Sequence, residues 1–339
     1  SMAVFTRGVK RKPYVKIAIV VLIAACVFGL WMLGKSRQKS IDSKNEEVKI
    51  NKTILAEYYG NNDSKLFKED PKDTSLKGNA SLDSIGEKLD SGEIDVAILK
   101  VSDGIKLIND GKKFKIIGTL SLLNREVFSD SNLSNGIRDF AGKKIEIVNG
   151  NPVKSNVDTE SEKADNSRKK VRKKRNQKIR NNSKSTVKSL EEMVIGVLAS
   201  KDNVRIQKGN IRTVSDTEDV ALNRREIVIG SPNDIKTLGS KGRFATRGTL
   251  GDLWQNAFQE DLPEYIMVVS SKFSENRNGE IDAVAKRFYN GKSAFQERKI
   301  VDYSESNRGT WLARQFLNKI KAFAPDILRK SVDISEYFQ

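Results

Sequence analysis

The sequence predicts a two-lobed α/β protein behind an N-terminal transmembrane helix, and three observations carry that expectation. Residues Leu82–Val101 read as a helix, a glycine break and a buried strand. The same order recurs in weaker form between Asp219 and Gly230, about 130 residues later, and two such units suggest two lobes. Ile17–Leu33 is continuously apolar apart from Gly29 and follows Arg7, Lys10, Arg11, Lys12 and Lys16.

In the first unit Leu82, Ile85 and Leu89 have helical spacing, and Ser81 stands where an N-cap is needed. Ser91 and Gly92 break the helix. Ile94–Leu99 is short, apolar and partly β-branched, which suits a strand buried on both faces, as in a parallel sheet.

The N-terminal apolar run is just long enough to cross a bilayer at about 1.5 Å per residue. Ile17, Val20, Leu22, Phe28, Leu30 and Trp31 would form the anchor, with Tyr14 and Trp31 at its borders. Three readings stay open: a single-span signal anchor, a lipoprotein signal modified at Cys26, and a cleaved secretory signal. All three place the body outside the cytoplasmic membrane of a bacterial cell, facing the periplasm or exterior.

The chain is then divided as follows: 1–13 is a basic cytoplasmic segment, 14–34 the anchor or signal and 35–47 a polar tether. Residues 48–140 and 231–339 form one lobe and 141–230 the other, interrupted by a disordered basic insert at 154–188. Strands are expected at 48–58, 114–120, 145–148, 211–214 and 265–270, with further pieces at 127–128 and 204–206. Helices are expected at 102–110, 189–199, 253–258, 281–289 and 311–323.

Charge and composition narrow the chemistry. The chain has 339 residues, and 61 Lys and Arg stand against 44 Asp and Glu, a net charge of +17. Between Lys163 and Lys188 there are twelve basic residues and one acid, so eleven of those charges sit in one patch. There is no histidine and one cysteine. Imidazole bases, Ser-His-Asp or Cys-His arrangements, intrachain disulfides and thiolate zinc sites are excluded. No phosphate-binding glycine loop and no paired-carboxylate signature occurs, so an enzyme using carboxylates or lysine is the least supported class, and no metal or cofactor is expected.

The ordered series of motifs resembles a known family. Leu89–Ile98 is similar to a strand entry of the form Gly, acidic, hydrophobic, Asp, hydrophobic, Ala. Asn109–Gly111 with Phe114–Ile117, Ile137–Ile145, and Leu253–Pro263 with Val268–Ser270 are similar to its later helix, crossing and return. Together they resemble the type II solute-binding proteins of bacterial ABC importers, in the nitrate, sulfonate and taurine group that also includes thiamine-precursor binders. The resemblance covers about Val48 to Ile320. Two departures stand out: Arg224–Val228 replaces a second Gly-x-Ile-Asp, and the basic insert begins where a ligand-facing helix start is expected.

The resemblance implies a type II periplasmic-binding-protein-like fold that captures a small anionic or heteroaromatic ligand between two lobes for an ABC importer permease. In such folds ligands meet the loops after strands. The candidates are Tyr58, Tyr59 and Asn61; Lys100 and Ser102; Asn149, Asn151 and Ser155; and Ser231 with Asn233. Each residue type is also ordinary loop content. Asp95 is expected to bond a nearby backbone group, and Trp254 and Trp311 to lie in the core.

The alternative is a structural or adaptor protein of the envelope that reuses the fold without a solute. The run Arg168, Lys169, Lys170, Arg172, Lys173, Lys174 and Arg175 suits anionic lipid or an acidic protein. It lacks the interleaved aromatics expected of a nucleic-acid binder.

Overall fold

In the computed structural model the described residues are 50, 52–59, 66–67, 69–78, 81–149, 188–239, 244–290, 299–301 and 306–339. The expected anchor and tether, Cys26, Asn61, Asn151, Ser155 and the basic run at 168–175 lie outside them. Among the described residues no helix is long and apolar enough to cross a membrane.

The first sheet is built around β3 (Val96–Lys100). Val96 and Ile98 enter one apolar cluster while Ala97 and Leu99 enter another, so the strand is buried on both faces as its composition predicts. It pairs in parallel with β1 (Ile54–Tyr58), which pairs in parallel with β2 (Thr74–Lys77). The sheet is mixed rather than parallel, because β10 (Pro263–Ser270) runs antiparallel between β3 and β4 (Phe114–Leu122). The edge is β11 (Lys299–Ile300).

The second sheet has the order β7 (Ile211–Val214), β6 (Ile145–Val148), β8 (Ile227–Gly230), β5 (Glu126–Ser129) and β9 (Ala245–Thr249). It extends past the 141–230 stretch assigned to one lobe. β5 and β9 lie outside that stretch, yet β5 hydrogen-bonds to β8 on one side and β9 on the other. The chain changes sheets through Leu123–Arg125 and returns through a helix between β9 and β10.

Eight helices are described: α1 (Leu82–Ser91), α2 (Val101–Asn109), α3 (Leu190–Lys201), α4 (Pro232–Leu238), α5 (Leu250–Phe258), α6 (Ser271–Asn276), α7 (Ile281–Asn290) and α8 (Ser306–Phe323). Ser81 caps α1 by accepting the Ser84 N–H at 3.2 Å, and Ser189 caps α3 by accepting the Glu192 N–H at 3.2 Å. Gly92 ends α1 in the left-handed region at φ 72°. The helix expected near Asp219 is absent; two 3-10 turns, Thr217–Asp219 and Leu222–Arg224, stand there. The expected strand at 204–206 is a loop.

An acidic residue clamps one parallel strand pair in each sheet. Asp95, just before β3, accepts the Leu55 N–H at 2.9 Å. Glu226, just before β8, accepts the Lys144 N–H at 3.1 Å. The registers Ala56↔Val96 and Ile145↔Ile227 put both clamps one residue before a paired position. The departure at Arg224–Val228 therefore keeps the backbone contact, with Glu in place of Asp.

Trp254 is buried as expected, against Phe258 and Phe316. Trp311 is not: it is 45% exposed. α8 turns Leu312, Ala313, Phe316, Leu317 and Ile320 to the core, and Trp311 falls beside that stripe.

Candidate functional site

The ends of both sheets carry the candidate residues. In the second sheet the register sets Ile147 beside Ile229 and Gly230 beside Glu126. Asn149, Ser231 and Arg125 are the residues that leave this same end of β6, β8 and β5, just past the paired positions. Arg125 and Ser231 each adjoin the paired position Glu126↔Gly230, although 106 positions separate them in the chain.

In the first sheet, Tyr59, Lys100 and Ser102 follow β1 and β3. Tyr59 is half-buried on the face that carries α1 and α2. Burial raises its hydroxyl pKa, and Asp103 and Asp83 add to that. Ser102 is buried in the first turn of α2. Tyr58 is not part of this group. Strand alternation turns it to the opposite face, against the cluster of Ile54, Val96 and Ile98, with its hydroxyl over Gly78.

Charged groups that sequence reasoning missed join the two ends. Arg125 Nε donates to Glu191 Oε1 at 2.8 Å, and both side chains are buried. Burial raises the Glu191 carboxyl, but Arg125 and Lys100 outweigh it and hold its pKa below the ordinary range. Burial likewise opposes the charge of Arg125, and Glu191 and Glu264 outweigh it, so its pKa is raised. Glu264, in β10, accepts the Ser121 hydroxyl at 3.4 Å. Asp103, in the first turn of α2, is pushed up to about 6 by burial, against the pull of Lys100.

Ser231 is held by its own helix. Its hydroxyl donates to Asp234 at 2.8 Å and accepts the Asp234 N–H at 3.1 Å, closing a capping box on α4. Asn149 Oδ1 and Glu191 Oε2 are buried with no hydrogen-bond partner among the described residues. Both are acceptors, so the junction has unmet capacity for donors. Among the described residues no cluster of three or more metal-ligating side chains occurs.

No protein-family profile and no curated protein matches the chain. Among solved structures 330 chains match. An ABC transporter from Parabacteroides distasonis is 10% identical with a TM-score of 0.47, over 85% of this chain and 99% of that one. The periplasmic aliphatic sulphonate binding protein SsuA from Escherichia coli is 11% identical with a TM-score of 0.48, over 84% and 91%. The ligand-binding component of an ABC-type import system from Staphylococcus aureus is 9% identical with a TM-score of 0.44, over 85% and 98%.

The signal for the missed residues was present but thin. Glu191 is a carboxylate next to Leu190 in a helix whose other residues are mostly apolar. Arg125 is a lone cation between the apolar stretches of β4 and β5. Arg125 is flanked by Asn124 and Glu126, and Glu191 is followed by Glu192, so nothing local marks either as buried; a buried charge needs a partner, and pattern alone does not name it.

Proposed function

We propose that the chain is an extracytoplasmic solute-binding protein. Two lobes, each on one sheet, take up a small heteroaromatic ligand at the junction and present it to the permease of an ABC importer. The body stands outside the cytoplasmic membrane, tethered through the 14–34 segment. The observation that carries this reading is that Asn149, Ser231 and Arg125 leave one end of the second sheet, with Arg125 paired to Glu191, whose carboxylate also feels the charge of Lys100 on the first. Ligands of open α/β sheets bind at such strand ends.

The charges at the junction choose between the two expected ligand classes. Lys100 and Arg125 face Asp103, Glu191 and Glu264. A second anion is poorly served there, whereas a ring bearing N–H groups can donate to Asn149 Oδ1 and Glu191 Oε2. Tyr59 supplies an aromatic face beside Asp103. Binding and release need no covalent step, only hinge motion at the short crossings between sheets.

A second reading has its own support. The Arg125–Glu191 pair fills part of the junction with the protein's own side chains, and one apolar cluster runs from Leu99 to Ile147. This suits an envelope scaffold that uses the fold without a solute, with the basic run on anionic lipid or an acidic protein.

Thermal unfolding of the full chain in detergent, against a panel of aminopyrimidines and small sulfonates, separates the two. The solute-binding reading expects an aminopyrimidine to stabilise by about 4 kcal/mol at a thousandfold excess over Kd. Loss of that shift in Asn149→Ala would place the ligand at the junction. No shift with any compound, together with capture of non-transporter envelope proteins, would decide for the scaffold.

A further inference from the structure

We infer that a second ligand site, for an aromatic carboxylate, lies beside β4 of the first sheet, between α7 and α8. A cavity of about 420 Å³ opens there, within the size range of small-molecule sites. Its floor is Ile117 of β4 with Ile281 and Ala285 of α7, all buried. Trp311 stands on its wall, 45% exposed, one of two large apolar side chains left exposed among the described residues. An indole against an apolar floor is a surface for a second flat ring.

The charge at the rim sets the ligand's sign. Arg314 lines the cavity and lies three residues from Trp311 on α8, hence on the same helix side. Its guanidinium lies 4.7 Å from the centre of the Phe338 ring. Among the described residues it has no carboxylate partner. Asp282 also lines the cavity but has an interaction of its own. Arg314 is the cation that the cavity offers, and a planar guanidinium matches a carboxylate through two parallel hydrogen bonds.

The site is separate from the sheet junction. Its lining shares no residue with the junction, and Ile117 lies within β4 whereas Arg125 follows the strand's end at Leu122. Gln339 donates to Asn278 at 3.2 Å and closes one end of the cavity, and Thr310 donates to the Ile117 carbonyl at 3.2 Å. These bonds tie α8 to β4 and the last residue to the turn at Asn278.

The test is calorimetric titration of the full chain in detergent with 1-naphthoate, and with uncharged 1-naphthamide as control. Saturable binding of naphthoate is expected, weakened about tenfold or more in Arg314→Gln and in Trp311→Ala. Trp311→Phe, which keeps a ring, should retain most of the affinity, and Asn149→Ala should leave it unchanged. Absence of saturable binding up to millimolar naphthoate would overturn the proposal. So would binding that ignores both Arg314→Gln and Trp311→Ala, or equal binding of the amide.

Discussion

Arg125 and Glu191 form a buried ion pair at 2.8 Å that ties the crossing between β4 and β5 to the first turn of α3. Both charges are desolvated, so neither tolerates loss of the other. Arg125→Met alone is expected to cost about 3–5 kcal/mol, and the double change Arg125→Met, Glu191→Leu to recover most of that. Urea unfolding midpoints at unchanged slope are the measurement. Because the folded pKa of Glu191 is depressed, the pair's contribution is present above the unfolded value near 4.5 and is lost as pH falls through the folded pKa.

Asp103 has the opposite sign. Its folded pKa of about 6 lies above the unfolded value of 3.8. The folded chain therefore holds this proton more tightly, an advantage fully present below about pH 4 and lost as pH rises through about 6. Asp103→Asn removes the penalty of a buried carboxylate and can still accept the Lys100 N–H. It is expected to stabilise by about 1–2 kcal/mol at pH 8, allowing for solvent screening, and to change little at pH 4. Denaturation series at the two pH values check this; equal effects at both would contradict it.

Asp95 and Glu226 predict a matched pair of losses. Each carboxylate satisfies a backbone N–H at the start of a neighbouring parallel strand. Asp95→Ala and Glu226→Ala should each cost about 1–2 kcal/mol, and the double variant their sum, since the sites lie on different sheets. The Glu226 carboxyl is held low, first by the Lys144 N–H and then by Lys143. Its contribution is therefore present above the unfolded value and disappears as pH falls through the folded one.

The same residues show how far the sequence could be read. β3, the cap Ser81 and the role of Asp95 were all legible, because apolar spacing and cap chemistry are local, whereas Ser189 was read as helical and is the cap instead. β2 and β9 were not. Thr74–Lys77 is half-exposed and Ala245–Thr249 largely so, and both are held by pairing to β1 and β5. At the junction, Lys100, Asn149 and Ser231 were legible as residues after strands, whereas Tyr58 was misplaced by one step of alternation. Arg125 and Glu191 meet across 66 positions, a contact made by topology and not by pattern.

Gly92 and Gly111 offer a controlled comparison of two left-handed glycines. Gly92 has φ 72° and Gly111 φ 78°, so a side chain at either pays backbone strain of about 1 kcal/mol. Their surroundings differ. A Cβ at Gly92 would lie 2.5 Å from Lys272 Cδ, whereas nothing stands within 4 Å at Gly111. Lys272 would have to swing aside and give up its bond to the Ser91 carbonyl at 3.2 Å. Gly111→Asn should therefore be nearly neutral, since Asn tolerates this region, while Gly92→Asn should cost about 1–2 kcal/mol. Removing the obstruction with Lys272→Ala should make Gly92→Asn almost as mild as Gly111→Asn in a urea series. If the cost at Gly92 persists in that background, the strain lies in the α1 terminus itself and not in the contact with α6.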